Sequence, residues 1–473
     1  MDVYVFISIV FLCVIVGFEG WRRVSGYPIG LLSVANLIFA LNFFVSPLLL
    51  AYVPGTDYAI GPFGQVLFIL PIVKELALSS ESYTQTAVIA FSAYVLMVGV
   101  YLLVEKRLHI RPLYTKDIPV RWLAVGGIVL ATITVVALLK YSSNFNNENI
   151  GGQYQFLVEQ YLGQGGIDDG FGLVKMLKLG ILARSDRLDI QWGFLQIVVM
   201  LGVPGFIMLS SAGLRLKGVW RGVLLALAVI SWAAVVMRTY HAAGRMEFGI
   251  VMSLVPLAVV LSSRSRITVL IGVFGLFVFG MFIGLASHAF FPDPGQVSVA
   301  MVQALGQQFG RSVLYMANEF AFPFPVVANT LVVVPEVIGY RYFIDIPLAA
   351  LYMLPNLGSV DAWPEMISHI HERIVPMLLP YDLISFGYYS GGVIGVGLVF
   401  VAMGALLALF DAWLRPGTGW LVQCLRAAWM MYLPFRIMYA DPYTSMKTGF
   451  GLIVGTILIL GMVELAKRRA VRQ

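Results

Sequence analysis

Charge is what this sequence has least of. Only 12% of its 473 residues are Asp, Glu, Lys or Arg, against about 25% in an ordinary soluble domain. With 59% hydrophobic residues and a mean hydropathy of +0.87, that deficit excludes a soluble class. Cysteine is scarce too. Cys13 and Cys424 both fall in apolar runs, so neither a disulfide framework nor a zinc spacing is available. Strand-like alternation is missing and the apolar runs are helix-length, which excludes a membrane β-barrel. No internal repeat is visible, which argues against an inverted-repeat transporter. Walker loops, nucleophile elbows and haem-attachment motifs are also missing. The N-terminal stretch lacks a basic segment and a small-residue cleavage site, so residues 3–20 read as a retained first helix.

What the chain does contain is a series of apolar runs long enough to cross a hydrocarbon core of about 30 Å. They are 3–20, 27–52, 84–105, 122–140, 191–213, 218–237, 246–262, 267–287, 386–413, 419–437 and 446–466. A further candidate, 61–79, is interrupted by Pro71, Lys74 and Glu75. The predicted fold is therefore an all-α polytopic integral membrane protein with 11–12 transmembrane helices. Three regions follow: N-terminal helices over 1–287 with an external segment at 141–190, a large polar loop at 288–385, and C-terminal helices over 386–473.

The formal charge of +6 and the pI near 9.1 do not point to nucleic acid, because the basic residues sit in short loops. Lys106, Arg107, Arg111, Lys116 and Arg121 fill one loop; Arg215, Lys217 and Arg221 another; Arg264 and Arg266 a third; Arg415 a fourth; Lys467, Arg468, Arg469 and Arg472 the tail. Placing all of them inside satisfies the positive-inside rule from residue 84 onward. The segments 141–190, 238–245, 288–385 and 438–445 are then outside. Arg22 and Arg23 also favour the inside, which eleven spans satisfy by putting the N-terminus outside. A twelfth span at 61–79 would break the rule there.

The 288–385 loop is too polar and proline-rich to span, and it carries the candidate chemistry. Outside arginines Arg238, Arg245, Arg311, Arg341 and Arg373 can snorkel to headgroups or form an anion site, since guanidinium forks match phosphate oxygens. His241, His369 and His371 are candidate general bases. His369 and His371 would share a face only in a strand, and no third ligand stands at a sensible spacing, so no metal site is expected. Asp345, Asp361, Glu365 and Asp382 suit either helix capping or proton abstraction, and Asp382 opens the next helix. Tyr381, Tyr388 and Tyr389 suit an aromatic belt or stacking on sugar rings. Gly391 and Gly395 form a G-x-x-x-G that close helix packing explains.

Three patches together resemble the bacterial O-antigen polymerases, the oligosaccharide repeat-unit polymerases. The first is Gly244-Arg245 leading into an apolar helix. The second runs from Glu319-Phe320-Ala321-Phe322-Pro323-Phe324-Pro325 through Val334-Pro335-Glu336 and Gly339-Tyr340-Arg341-Tyr342-Phe343 to Leu354-Pro355-Asn356. The third is Pro380-Tyr381-Asp382 with Ser385-Phe386-Gly387-Tyr388-Tyr389 and Gly391-Gly392-Val393-Ile394-Gly395. The likeness covers about 120–415. It implies a metal-independent, cofactor-free membrane glycosyltransferase of the GT-C type, with short helices in a large periplasmic loop, in the bacterial inner membrane. Its substrate would be an undecaprenyl-diphosphate-linked oligosaccharide, with a chain-length regulator as a further partner. On this reading Arg245, His241, His371 and Asp382 are the catalytic candidates, and Arg238, Arg311, Arg341, Arg373, Tyr381 and Tyr388 the substrate-binding ones. An O-antigen ligase and a flippase of lipid-linked sugars are the alternatives.

Overall fold

A computed structural model describes residues 2–45, 48, 79–107, most of 110–142, 195–241 apart from 196, 245–262, 323–352 apart from 338, 381–415 and 419–472. Every regular element among them is helical. In chain order these are α1 (Val3–Val24), α2 (Leu31–Ala40), a π turn (Leu41–Val45), α3 (Ser80–Arg107), α4 (Val120–Ser142), α5 (Gly202–Arg215), α6 (Val219–His241), α7 (Arg245–Ser262), α8 (Pro323–Val333), α9 (Asp345–Tyr352), α10 (Leu383–Trp413), α11 (Trp420–Tyr432), a 3-10 turn (Pro434–Ile437) and α12 (Pro442–Arg472). Seven of the described helices are long and apolar enough to cross a membrane: Val3–Val24, Ser80–Arg107, Val120–Lys140, Ile197–Arg215, Val219–Thr239, Leu383–Trp413 and Ser445–Arg469.

Several expected spans come out differently. The run 27–52 gives only the short α2 and its π turn. The run 419–437 gives α11, which stops before Pro434 because proline cannot donate the next helical hydrogen bond. The run 246–262 forms α7 with Pro256 inside it. All but Ser79 of the candidate 61–79, together with 267–287 and the segment 143–190, lie outside the described residues. Two short helices, α8 and α9, stand within the 288–385 region.

One end of the bundle gathers the basic termini. Arg22 and Arg23 close α1, Lys106 and Arg107 close α3, and Arg215 closes α5. Arg215 donates to the carbonyls of Ile118 and Thr115 at the entry to α4, and Arg469 of α12 lies over Trp122. The centre of this end is Asp411, near the end of α10. Its carboxylate accepts from the Leu31 and Leu32 amides at 2.9 and 3.4 Å, so a side chain from another helix caps α2. Tyr101 of α3 donates to the same carboxylate at 3.0 Å, and Arg426 of α11 pairs with it at 3.5 Å. Gly30 is required here, because a β-carbon at that position would stand 2.5–2.8 Å from the Asp411 carboxylate. Arg426 is buried and also donates to the Leu414 and Ile29 carbonyls, so its charge is matched on several sides.

The other end is aromatic. Tyr4 of α1, Tyr83 of α3 and Phe324 of α8 form one ring cluster. α1 and α3 run parallel, since Tyr4 meets Tyr83 at one end and Arg22 lies over Tyr101 at the other. α2 runs against both. The start of α1 therefore lies at the end away from the basic helix termini.

α10 is not one continuous helix. Gly391 and Gly392 leave helical geometry, and Gly392 has φ +63°, a region that suits glycine. The chain folds back so sharply that Gly387 packs against Val396 and the carbonyl of Gly387 faces Gly395. The sequence reading assigned the packing role to Gly391 and Gly395; the close pair is Gly387 and Gly395, and Gly391 is part of the bend. What remains after the bend, 393–413, is roughly 30 Å of helix, a full crossing in itself.

Asp411→Ala should leave Arg426 buried without its carboxylate and α2 uncapped. A loss of roughly 3–5 kcal/mol is expected, measured as a lowered Tm in detergent. An unchanged Tm would contradict the central place given to this carboxylate.

Candidate functional site

The bend in α10 creates a short helix, 383–390, at the aromatic end, and the candidate site is built around it. Asp382 is its N-cap. One carboxylate oxygen accepts from the Ile384 and Ser385 amides at 2.8 and 3.0 Å, and the other meets the Ser385 hydroxyl at 2.5 Å. The far end is held by a different segment. The Arg341 amide donates to the Tyr389 carbonyl at 3.0 Å, and the Tyr342 amide to the Ser390 carbonyl at 2.8 Å. These bonds satisfy terminal carbonyls that no further helical turn reaches.

To make this contact, the chain bends backwards. Tyr342 and Phe343 both have positive φ, 50° and 60°. For bulky side chains that is a strained conformation, costing about 1–3 kcal/mol each. Phe343 meets Phe386 with ring centroids 5.8 Å apart, which helps to hold the turn. Arg341 closes it on the other side. Its Nε donates to both oxygens of Asp345 at 3.1 and 2.9 Å, and Nη2 donates at 2.7 Å. This forked pairing is the strong geometry for guanidinium and carboxylate. Arg341 and Asp345 stand four residues apart, a spacing that brings side chains together wherever the chain turns helically.

A third segment completes the cluster. The Ala440 amide donates to the Tyr381 carbonyl at 2.7 Å. Beside it, Arg436 lies 4.8 Å from the centre of the Tyr432 ring and donates to Ser445. Tyr381 and Tyr389 meet edge to face with centroids 5.1 Å apart. Burial raises the Tyr381 phenol well above its ordinary value, the Asp441 and Asp345 carboxylates reinforce the shift, and Arg341 opposes it. Tyr381 is therefore a neutral hydroxyl at physiological pH. Tyr388 is half-buried and lies close to Tyr340.

The structure thus brings together four of the predicted residues: Arg341, Tyr381, Asp382 and Tyr388. Arg238 is buried separately on α6, with its Nη1 3.6 Å from the sulfur of Met200. Met200 packs on Gly451 of α12, and Ser445, nearer the start of the same helix, accepts from Arg436. His241 is the last residue of α6 and Arg245 the first of α7. Arg311, His371 and Arg373 lie outside the described residues, as do His369, Asp361 and Glu365. Arg436 and Asp441 escaped the sequence reading. Their clue was position, in the turn between two C-terminal helices on the side expected to be outside.

Chemically, the cluster offers a fixed guanidinium–carboxylate pair, several phenols and a buried carboxyl. No group of three or more potential metal ligands occurs among the described residues. The helices define a multi-pass membrane protein. No family model matches the chain, and comparisons with curated proteins and with solved structures give no match.

Asp382 is fully enclosed, and burial pushes its carboxyl from an ordinary 3.8 up to about 7, against the pull of the Ser385 and Ile384 donors. Between about pH 4 and pH 7 the unfolded chain has released this proton while the folded chain still holds it. Stability should therefore be greatest at the acid end of that window and decline as pH rises through it. Asp382→Asn keeps an acceptor for the amides and removes the titration. A Tm series should show a flatter slope over this window in Asp382→Asn than in the native chain; equal slopes would rule the titration out.

Proposed function

We propose that this chain is a membrane glycosyltransferase that polymerises undecaprenyl-diphosphate-linked oligosaccharide repeat units at the periplasmic face of the bacterial inner membrane. The observation that carries the reading is the gathering of Arg341, Asp345, Tyr381, Asp382 and Tyr388 at the end of the bundle away from the basic termini. By the positive-inside rule, that end faces outward. Lipid-linked saccharides are amphipathic, with an apolar tail, an anionic diphosphate and a polar glycan. A site at a helix-bundle end, with arginine and tyrosine beside membrane-length helices, suits all three parts.

The reaction asks little of the protein beyond position and charge. The acceptor hydroxyl gives up its proton, its oxygen bonds to the anomeric carbon, and the bond from that carbon to the diphosphate oxygen breaks. Negative charge develops on the departing undecaprenyl diphosphate. Arginines stabilise it most when already oriented in a water-poor site. Arg245 is the first choice for that role, followed by Arg238, Arg341 and Arg311, with Arg373 at the substrate. The forked pair with Asp345 fixes the orientation of Arg341 in advance. His241, His371 and Asp382 are the base candidates; Asp382 already holds Ser385, so acting as a base would require it to release that hydroxyl. Tyr388, half-buried, is placed to offer its hydroxyl and ring face to a sugar, while Tyr381, buried against Tyr389, would first have to be uncovered.

The test is to incubate purified protein with a lipid-linked repeat unit, with and without a chelator. Multi-repeat products and released undecaprenyl diphosphate are expected in both cases. Arg245→Ala should cut the rate on the order of 10²-fold or more while leaving Tm unchanged. Transfer only to a lipid A core acceptor would make the protein a ligase. Movement of the intact lipid-linked unit across a vesicle membrane, with no diphosphate released, would make it a flippase.

A further inference from the structure

The second helix carries a feature that the proposed reaction does not use. Its regular hydrogen bonding fails at Leu41, and Leu41–Val45 form a π turn. This turn is deep in the bundle. Phe44 packs on Phe11 midway along α1, and Phe39, just before the turn, packs on Phe400 midway along α10. Irregular backbone at membrane depth persists where protein buries it or where it borders water, and π turns concentrate at functional positions.

The side chains around the turn add a separate observation. Asn42 is wholly buried, and neither its carbonyl oxygen nor its amide nitrogen has a hydrogen-bond partner among the described residues. Asn36, two turns earlier, donates its amide to Glu19 at 2.9 Å, yet its carbonyl oxygen is buried with no partner among the described residues. Tyr94 of α3 sets its ring edge to face against Phe39 at 5.4 Å, and its hydroxyl is a third such group. That hydroxyl is within electrostatic reach of Glu19, the carboxylate that Asn36 bonds, and of Arg22, which pairs with it.

Dry polar atoms of this kind are costly. Several of them within two turns of one helix would remove much of the narrow stability margin of a folded chain. The three residues also supply both donors and acceptors, which is what an internal water needs to make its usual two to four hydrogen bonds. We infer that internal water molecules occupy a seam along the second helix, bridging Asn36, Tyr94 and Asn42 between the Glu19–Arg22 pair and the middle of the bundle. The ligand is water itself. The inference stands whether or not the chain is a glycosyltransferase, since none of these residues belongs to the outer cluster.

The full native chain tests this in detergent or nanodiscs. X-ray radiolysis generates hydroxyl radicals from water in place, including water bound inside a protein. Tyr94 is 2% exposed and Phe324 is 0% exposed, so bulk radicals reach neither. Tyr94 should be oxidised at least several-fold faster than Phe324; equal rates would overturn the seam. A second readout is the sign of one substitution. If water holds the Tyr94 hydroxyl, Tyr94→Phe lowers Tm, because the water and Asn36 lose a partner. If the hydroxyl is dry, the same change removes an unpaired group and raises Tm, which would overturn the proposal on its own.

Discussion

The Asp411 carboxylate does the work of a small hub. Three elements converge on its two oxygens, tying them to the end of α10 that carries it: the start of α2, Tyr101 of α3 and Arg426 of α11. Leu31 and Leu32 are fully buried, so water does not satisfy their amides and the protein must supply an acceptor. Here the acceptor is charged, and a buried guanidinium and a phenol balance it. α2 is short, and this fixed starting point sets where its π turn and its aromatic contacts fall. The neighbouring Glu19–Arg22–Arg23 group, with Ser33 of α2 between the arginines, extends the same solution to the end of α1.

At the opposite end, the arrangement is made by a bend. A helix that continued straight through Gly391 and Gly392 would carry Asp382 and Tyr381 far out of the bundle. Reversal at the two glycines lays the short helix back against the span, with Gly387 and Gly395 small enough to allow contact. The polar cluster then forms from three strongly separated segments: 340–345, 381–390 and 436–445. Only Gly392 adopts the left-handed backbone among the glycines of this bend, so the turn needs one permissive residue and two small ones, Gly387 and Gly395; a β-carbon at Gly391 would meet nothing.

Much of the architecture could be read from the chain. Apolar run length, the lack of charge and the placement of arginine and lysine gave the helices and the basic end, because each follows from the bilayer as a solvent. Asp382 as the head of a helix was also readable, from its position before an apolar run. The break in α10 was not, since Gly391 and Gly395 fit ordinary helix packing equally well. Nor was the early end of α11, where Pro434 lies inside a run that is otherwise apolar enough to span. The Asp411 hub was invisible for a different reason: Leu31, Leu32 and Tyr101 lie hundreds of residues away along the chain, and no local pattern announces any of its partners. The outer cluster was half readable. Arg341 and Asp345 have the spacing of a pair, but nothing in the sequence places Arg436 and Asp441 beside them.

Tyr342 and Phe343 sit in a backbone region that their β-carbons resist. What keeps them there is the pair of amide bonds from Arg341 and Tyr342 to the last carbonyls of the short helix, together with the Arg341–Asp345 clasp. The short helix is therefore fastened at its head by its own carboxyl and at its tail by a bent spring. Letting go of the tail would relax the spring and free the helix at the same instant, so the two segments can change shape only in concert.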